Sequence, residues 1–276
     1  ADKAYVRKIQ IDMLYCKIMY GITLEDYFVF QFEHKSEEER ASYMGEPDMM
    51  ELCDEMAFEE GRLFRNKYLA YLTFQPYYKR EVLLVKNERD LPEMRDFLER
   101  HPICMAKALD QSQGRALQRM DLTDGKQSVD EAMHHILQRG ECILEELIVQ
   151  ADGMAKFHPS SVNTIRFATY LDKGEQKNVF ALLRIGMHGG VIDNASAGGI
   201  FAEVDVKTGV VKTPGLRRKG EQYVQHPDTG VTIQGAQIPQ WEELLALTEK
   251  LTRIVPQQKY VGWDLAFTDN GWVMVE

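Results

Sequence analysis

Two acids near the end of the chain, Asp264 and Glu276, flank the turn Thr268-Asp-Asn-Gly271. If Asp269-Asn270-Gly271 is a three-residue loop with Gly271 left-handed, Thr268 faces Trp272, and the same register sets Asp264 opposite Glu276. Both acids then share a face with Cβ atoms about 5 Å apart. Carboxylates that close repel unless a cation or a proton lies between them. Mg²⁺ is commonly held by one or two carboxylates together with substrate phosphates. A two-residue Asn270-Gly271 turn would instead place the acids on opposite faces and leave one of them on the surface. Trp263, Leu265, Phe267, Val273 and Val275 alternate with the acids and read as core.

Lys107 interrupts the apolar strand Cys104-Met-Ala-Lys-Ala-Leu109, directly before the polar loop Asp110-Gln-Ser-Gln-Gly-Arg115. A lysine there can reach a phosphate while the loop's backbone N–H groups close over the same anion. No Gly-Lys-Ser/Thr follows the glycine, so this is not a Walker loop. The competing reading is a lysine snorkelling from an edge strand. Arg166 and Arg184 break two further apolar strands, where a guanidinium needs an anionic partner, structural or catalytic. Glu145-Glu146, set among Ile143, Leu144, Leu147 and Ile148, reads as a strand edge with solvated acids. Asn194-Ala-Ser-Ala-Gly-Gly199 is a ligand loop or a turn. The seven histidines show no metal spacing, and His226-Pro-Asp-Thr229 reads as a loop with no chemistry assigned.

Composition limits what these residues can serve. The chain has 276 residues, enough for roughly two lobes. A hydrophobic fraction of 44% with 28% charged residues excludes a disordered or fibrous chain. The net charge of −10 argues against sequence-independent nucleic-acid binding, which needs clustered Lys and Arg, so an anionic ligand must be held by a local site. No apolar run approaches the roughly 20 residues of a transmembrane helix. Cys16, Cys53, Cys104 and Cys142 form no CxxC pair, which fits reduced thiols in a cytoplasmic protein.

The elements that must position these groups follow from periodicity and caps. Residues 1–65 read as helical. Val6, Ile9, Met13, Cys16 and Tyr20 make one apolar face, Gly21 a stop, and Thr23–Asp26 and Ser36–Glu39 capping boxes, with a further helix over Met49–Arg65. Residues 66–150 are mixed, with strands at 81–86, 103–109 and around 142–149, and helices opened by Pro92 and by Ser128-Val-Asp-Glu131. Residues 151–276 are strand-dominated: 163–171 and 179–186 flank the turn Asp172-Lys-Gly174, a helix runs from Pro239 to about Arg253, and strands 260–267 and 272–276 close the chain. The class is α+β with strands joined mostly by hairpins.

Taken in order, these segments resemble the ATP-grasp superfamily, and within it the sugar-transfer-associated ATP-grasp proteins. Ala106-Lys107 with the loop through Gly114-Arg115 is similar to the phosphate-covering strand and glycine-rich loop. Glu145-Glu146-Leu147-Ile148 resembles the adenine-binding hinge, and His158-Pro-Ser-Ser-Val-Asn-Thr-Ile-Arg166 the group's central motif. Asn194–Gly199, His226–Thr229, Gly262-Trp-Asp264 and the Tyr20-Gly21 region also match.

The resemblance implies an ATP-grasp fold of two α+β lobes clasping ATP, after a helical N-terminal region. It implies Lys107, Ser112 and Gly114 at the ATP phosphates, Glu145, Glu146 and Ile148 around adenine, and Asn163 also toward the nucleotide. Arg166, Arg184 and Asn194 are implied in catalysis, and Asp264 and Glu276 as Mg²⁺ ligands. Family members usually continue Glu-Gly-Asn, so a further metal ligand is expected beyond Glu276. The implied activity is a Mg²⁺- and ATP-dependent carboxylate–amine (or carboxylate–thiol) ligase, acting through an acylphosphate on small-molecule or peptide substrates in polysaccharide or modified-sugar chemistry. An ATP-grasp kinase and a nucleotide-binding regulatory module are the alternatives.

Overall fold

The computed structural model describes residues 2–56, 61–109, 117–190, 193, 198–218 and 220–276. The N-terminal region is helical: α1 (Lys3–Tyr20), α2 (Leu24–Val29), α3 (Glu37–Ala41), α4 (Glu46–Met56) and α5 (Gly61–Arg65). Gly21 ends α1 at φ +64, and its N–H bonds the Cys16 carbonyl, a left-handed cap. Ser36 and Glu39 form the expected capping box. Cys16, Ile22, Tyr27 and Phe32 make a small core of their own, tied by Arg40 donating to both Asp12 oxygens (2.7 and 2.8 Å).

The helix α6 (Lys67–Tyr78) was not expected from the sequence. Pro76 sits inside it and Phe74 leaves helical geometry (φ −112, ψ 17), so its periodicity is broken where a pattern search needs it whole. Burial explains why it forms: Tyr71, Phe74 and Tyr78 face the main core, with Phe74 against Trp263 at 5.4 Å.

Four antiparallel strands, β1 (Val82–Val85), β2 (Ile103–Ala108), β3 (Leu117–Asp121) and β4 (Cys142–Glu146), make the first sheet in the order β1-β4-β2-β3. The helices α7 (Leu91–Arg100) and α8 (Val129–Gln138) cover one face through Met94, Phe97, Ala132 and Ile136. The pairing Met105↔Glu145 puts Lys107 and Glu145 on the opposite face, because side chains alternate along a strand.

After the short α9 (Asp152–Ala155), the second sheet takes β5 (Thr164–Asp172), β6 (Glu175–Ile185), β7 (Ile200–Val204), β8 (Gly215–Leu216), β9 (Gln222–Tyr223), β10 (Tyr260–Thr268) and β11 (Gly271–Met274). Its order is β11-β10-β5-β6-β7-β8-β9, every pair antiparallel. One face buries Ile165, Phe167, Leu183, Trp263 and Leu265, with α10 (Trp241–Ile254) packed on it. The other carries Thr164, Arg166, Arg184 and Asp264 in adjacent register. No described helix is long and apolar enough to cross a membrane.

Candidate functional site

The polar face of the second sheet is built around Asp264, which is buried. Arg166, its cross-strand partner, donates from Nε to Oδ1 (2.5 Å) and from Nη2 to Oδ2 (2.8 Å). Arg184 donates to both oxygens from Nη1 (3.1 and 3.2 Å). Its Nη2 reaches Asp193 at 3.3 Å, and the other Asp193 oxygen accepts from Thr164 Oγ1. The two guanidiniums and two carboxylates balance, which is what lets four charges share a poorly hydrated surface. Gly262 leaves the room this needs: a Cβ there meets Arg166 Nη1 at 3.2 Å and Cδ at 3.3 Å. Arg184 Nε is buried with no hydrogen-bond partner among the described residues.

The terminal hairpin follows neither loop length considered from the sequence. Thr268 pairs with Gly271 and Phe267 with Trp272, so the turn holds two residues, Asp269 and Asn270, not three. The Thr268 hydroxyl accepts from Asn270 N (3.2 Å) and donates to Gly271 O (2.9 Å), closing the turn tightly. The missing residue reappears at the far end. Asp264 O accepts from both Val275 N (2.7 Å) and Glu276 N (3.4 Å), while Asp264 N donates to Glu276 O (2.9 Å). That is a β-bulge, two residues opposite one. Asp264 therefore does face Glu276 along the backbone, although the side chains serve different partners. Glu276 lies 3.3 Å from Lys67 Nζ.

Glu276 belongs to a second cluster, in a cleft between the sheets lined by Lys67, Tyr78, Lys107, Glu145 and the end of the chain. Glu145 is not a solvated strand-edge acid. It lies on the interior strand β4, is 3% exposed, and accepts from Lys107 Nζ (2.8 Å), Arg80 Nε (3.1 Å) and Arg80 Nη2 (3.0 Å). Burial works against its ionised form, but Lys107 and Arg80 outweigh that and hold its carboxyl below the ordinary range. Arg80 also donates to the carbonyls of Tyr78 (3.2 Å), Met274 (2.5 Å) and Val275 (3.2 Å), so one guanidinium ties the two sheets together. The cleft retains about 20 Å³, room for a single water, so a larger ligand enters only as these side chains move.

The remaining expected site residues are placed less centrally. The N–H of Glu146 bonds Glu81 O (3.0 Å) and its carboxylate accepts from Glu81 N (3.0 Å), which uses that N–H in the sheet. Ile148 follows β4 in a segment without regular structure. The structure does not bring Asn163 to the cleft: it is fully buried, donating to Gln150 Oε1, Met154 O and His158 O and accepting from Ser161. Ser112, Gly114 and Asn194 lie outside the described residues. No group of three or more His, Cys, Asp and Glu is placed to hold a metal among the described residues.

Sequence reasoning missed Lys67, Arg80 and Asp193. Arg80 directly precedes the strand read from residue 81, between Lys79 and Glu81, and nothing local marks it as buried, yet its side chain is only 4% exposed. Lys67 was hidden with its helix, and only the following apolar positions of α6 would have signalled that it starts a buried element.

A family model for sugar-transfer-associated ATP-grasp proteins matches residues 110–276. The chain belongs to that family. Its fold is the ATP-grasp fold of mixed helices and antiparallel sheets. No curated protein matches this ATP-grasp chain. Among solved structures, D-alanyl-alanine synthetase A from Vibrio cholerae is 11% identical at a TM-score of 0.47, over 79% of this chain and 55% of that one. The D-alanine-D-alanine ligase from Coxiella burnetii is 10% identical at 0.45, over 79% and 48%. An L-amino acid ligase from Bacillus licheniformis is 10% identical at 0.46, over 78% and 40%. The chain thus spans about half the length of these proteins.

Proposed function

We propose that this chain carries the reaction centre of a Mg²⁺- and ATP-dependent ligase that joins a carboxylate to an amine. The observation that carries the reading is the cleft in which Lys107 and Lys67 converge on Glu145 and Glu276. Family membership supports it. Residues 66–150 would form the first lobe and 151–276 the second, behind a helical region over 1–65. The substrates would be small-molecule or peptide carboxylates and amines of polysaccharide or modified-sugar biosynthesis.

The chemistry follows from the charges. A carboxylate oxygen attacks the γ-phosphorus of ATP, the bond to the β-phosphate oxygen breaks, and ADP leaves. The amine then attacks the acyl carbon, the C–O bond to phosphate breaks with its electron pair, and the amine proton passes to phosphate or solvent. Lys107 and Lys67 would neutralise phosphate charge from their places beside Glu145 and Glu276. Arg166, the more exposed of the two guanidiniums on Asp264, would turn toward the transferring phosphoryl group while Arg184 stays anchored by Asp193. Asn194 would also serve in catalysis. The oxygen donors Asp264 and Glu276 suit Mg²⁺ chemically, and both now hold cations, as carboxylates that a dication takes over would. When bound, Mg²⁺ would supply charge neutralisation at the phosphates.

Thermal stability with a non-hydrolysable ATP analogue, with and without Mg²⁺, tests this in wild type and Asp264→Asn. At a hundredfold excess over Kd, binding adds about 2.7 kcal/mol. At about 2–4 °C per kcal/mol that is roughly 5–11 °C in Tm. A Mg²⁺-dependent rise of that size, weakened in Asp264→Asn, is expected, and no rise at millimolar nucleotide refutes the reading. One observation favours a nucleotide-binding module without catalysis: Asp264 is already saturated by two arginines. Binding with no ADP release across a panel of carboxylates and amines would select that reading.

A further inference from the structure

The loop between β6 and β7 delivers Asp193 to Arg184, and its root is gripped by a buried polar cluster that none of the chemistry above uses. His158 and His226 are fully buried, with ring centroids 5.4 Å apart. Asp228, two residues beyond His226, accepts the backbone N–H of His188 at 2.5 Å. His188 holds a left-handed backbone (φ +56), unusual for a histidine, at the turn leaving β6. The second anchor of the same loop is Asp193, on Thr164 and Arg184.

Hydrogen-bond accounting fixes the protons in this cluster. The Asn163 amide nitrogen faces three oxygen acceptors, so its Oδ1 must be the atom that accepts from Ser161 Oγ (3.1 Å). The single Ser161 proton is spent there. Ser161 Oγ must then accept from His158 Nδ1 (2.8 Å), which makes Nδ1 the protonated nitrogen. The Nε2 lone pair of His158 is left 3.6 Å from Asp228 Oδ2, acceptor facing acceptor. His226 is fixed the other way: Nε2 donates to Gly186 O (2.8 Å) and Nδ1 accepts from Asp228 N (3.3 Å). Gly186 allows this packing, since a Cβ there meets Ser161 Oγ at 2.4 Å.

We propose that Asp228 is a positioning residue: through His188 it fixes the root of the loop that holds Asp193 against Arg184, and its grip tightens when a proton bridges it to His158. The groups facing His158 are Ser161, His226, His188 and Asp228. Burial and the two histidines hold His158 below its usual range, against the pull of Asp228, so the neutral form prevails at neutral pH. Acidification adds the proton at Nε2, turning a repulsive contact into a charge-assisted hydrogen bond. The relevance to ligation rests on the Arg184–Asp264 face being the reacting site; the device itself does not.

The test uses the full chain with Asp228→Asn and Asp228→Ala. Long-range ¹⁵N spectra of the histidines report their tautomers, and hydrogen exchange reports the amides of residues 187–190. We expect His158 as the Nδ1–H tautomer and His226 as the Nε2–H tautomer. Amide exchange over 187–190 should speed at least tenfold in Asp228→Ala, with exchange in α7 unchanged. In wild type, protection corrected for intrinsic rate should rise as His158 titrates. Asp228→Asn should keep most protection, because its carbonyl still accepts from His188, but lose that pH dependence, with His158 titrating at lower pH. An Nε2–H tautomer for His158, or unchanged exchange in Asp228→Ala, overturns the proposal. If the alanine variant does not fold, the tautomer and pH readouts of Asp228→Asn decide. None of these readouts uses nucleotide, so failure of Mg²⁺–ATP binding would sink the ligase reading and leave this one standing.

Discussion

Replacing Arg80 by Met should be among the most damaging single changes in the molecule. The substitution keeps most of the aliphatic volume but removes two N–H donors from Glu145 and three hydrogen bonds to carbonyls, two of them on the second sheet. Glu145, 3% exposed, would keep Lys107 as its only counter-ion among the described residues. Breaking a buried pair by removing one partner costs about 3–5 kcal/mol. For a chain of this size, at about 2–4 °C per kcal/mol, the melting temperature should fall by roughly 6–20 °C. The double variant Arg80→Met with Glu145→Gln should recover part of that, because the stranded charge is gone. Arg95→Met, which breaks an exposed pair with Asp130, should cost less than about 1 kcal/mol and serves as control. Scanning calorimetry and urea titration at pH 7 give the numbers. The folded-state carboxyl of Glu145 is depressed, so its contribution is complete above the unfolded carboxylate range near pH 4.3 and is lost as pH falls from there through its folded value. Wild type and Arg80→Met should therefore converge in stability at acid pH. A cost under 1 kcal/mol at pH 7, or a gap that widens on acidification, would refute the argument.

Three further outcomes are expected. Cys104 and Cys142, whose thiols burial pushes up to about 11, should resist a thiol reagent at pH 8 in the folded protein and react after urea unfolding, as intact-mass spectrometry would show. Gly209→Ala should destabilise by roughly 1–3 kcal/mol in urea titration, since the backbone there has φ +72 and a Cβ meets the Trp241 ring at 2.5 Å. Lys67→Met, which removes a cation from beside Glu276, should weaken binding of an ATP analogue several-fold by calorimetric titration.

The sequence carried local rules well and long-range pairing poorly. The capping box at Ser36 and the glycine stop at Gly21 were readable because each involves residues a few positions apart. The positions of Arg166, Arg184 and Asp264 in apolar strands marked them as needing partners, and they turned out to be one another's. Their convergence depends on strands 98 and 80 residues apart coming into register, which no local pattern encodes. Asp-Asn-Gly suits either loop length and the sequence leaves that open, but the two-residue turn falls on Asp269-Asn270, and the bulge at Val275–Glu276 sets the two acids opposite each other along the backbone. Arg80 and Lys67 escaped notice because exposed and buried cations look alike in a string of letters. His226-Pro-Asp-Thr229 read as a plain loop for the same reason: its partners His158 and His188 lie on other segments.

The cations around the last strand have a consequence for how copies of this protein behave together. Among the described residues β11 is the outermost strand of its sheet, the kind of edge that can recruit another chain's strand. Lys79 Nζ donates to Asn270 O (2.7 Å), and Arg80 to the carbonyls of Met274 and Val275. These three carbonyls are thereby taken by two positive charges of the same molecule. At the other margin, β9 is two residues long, too short to template pairing. Among the described residues the sheet's two margins are thus blunted against edge-to-edge association, by charge at one and by brevity at the other.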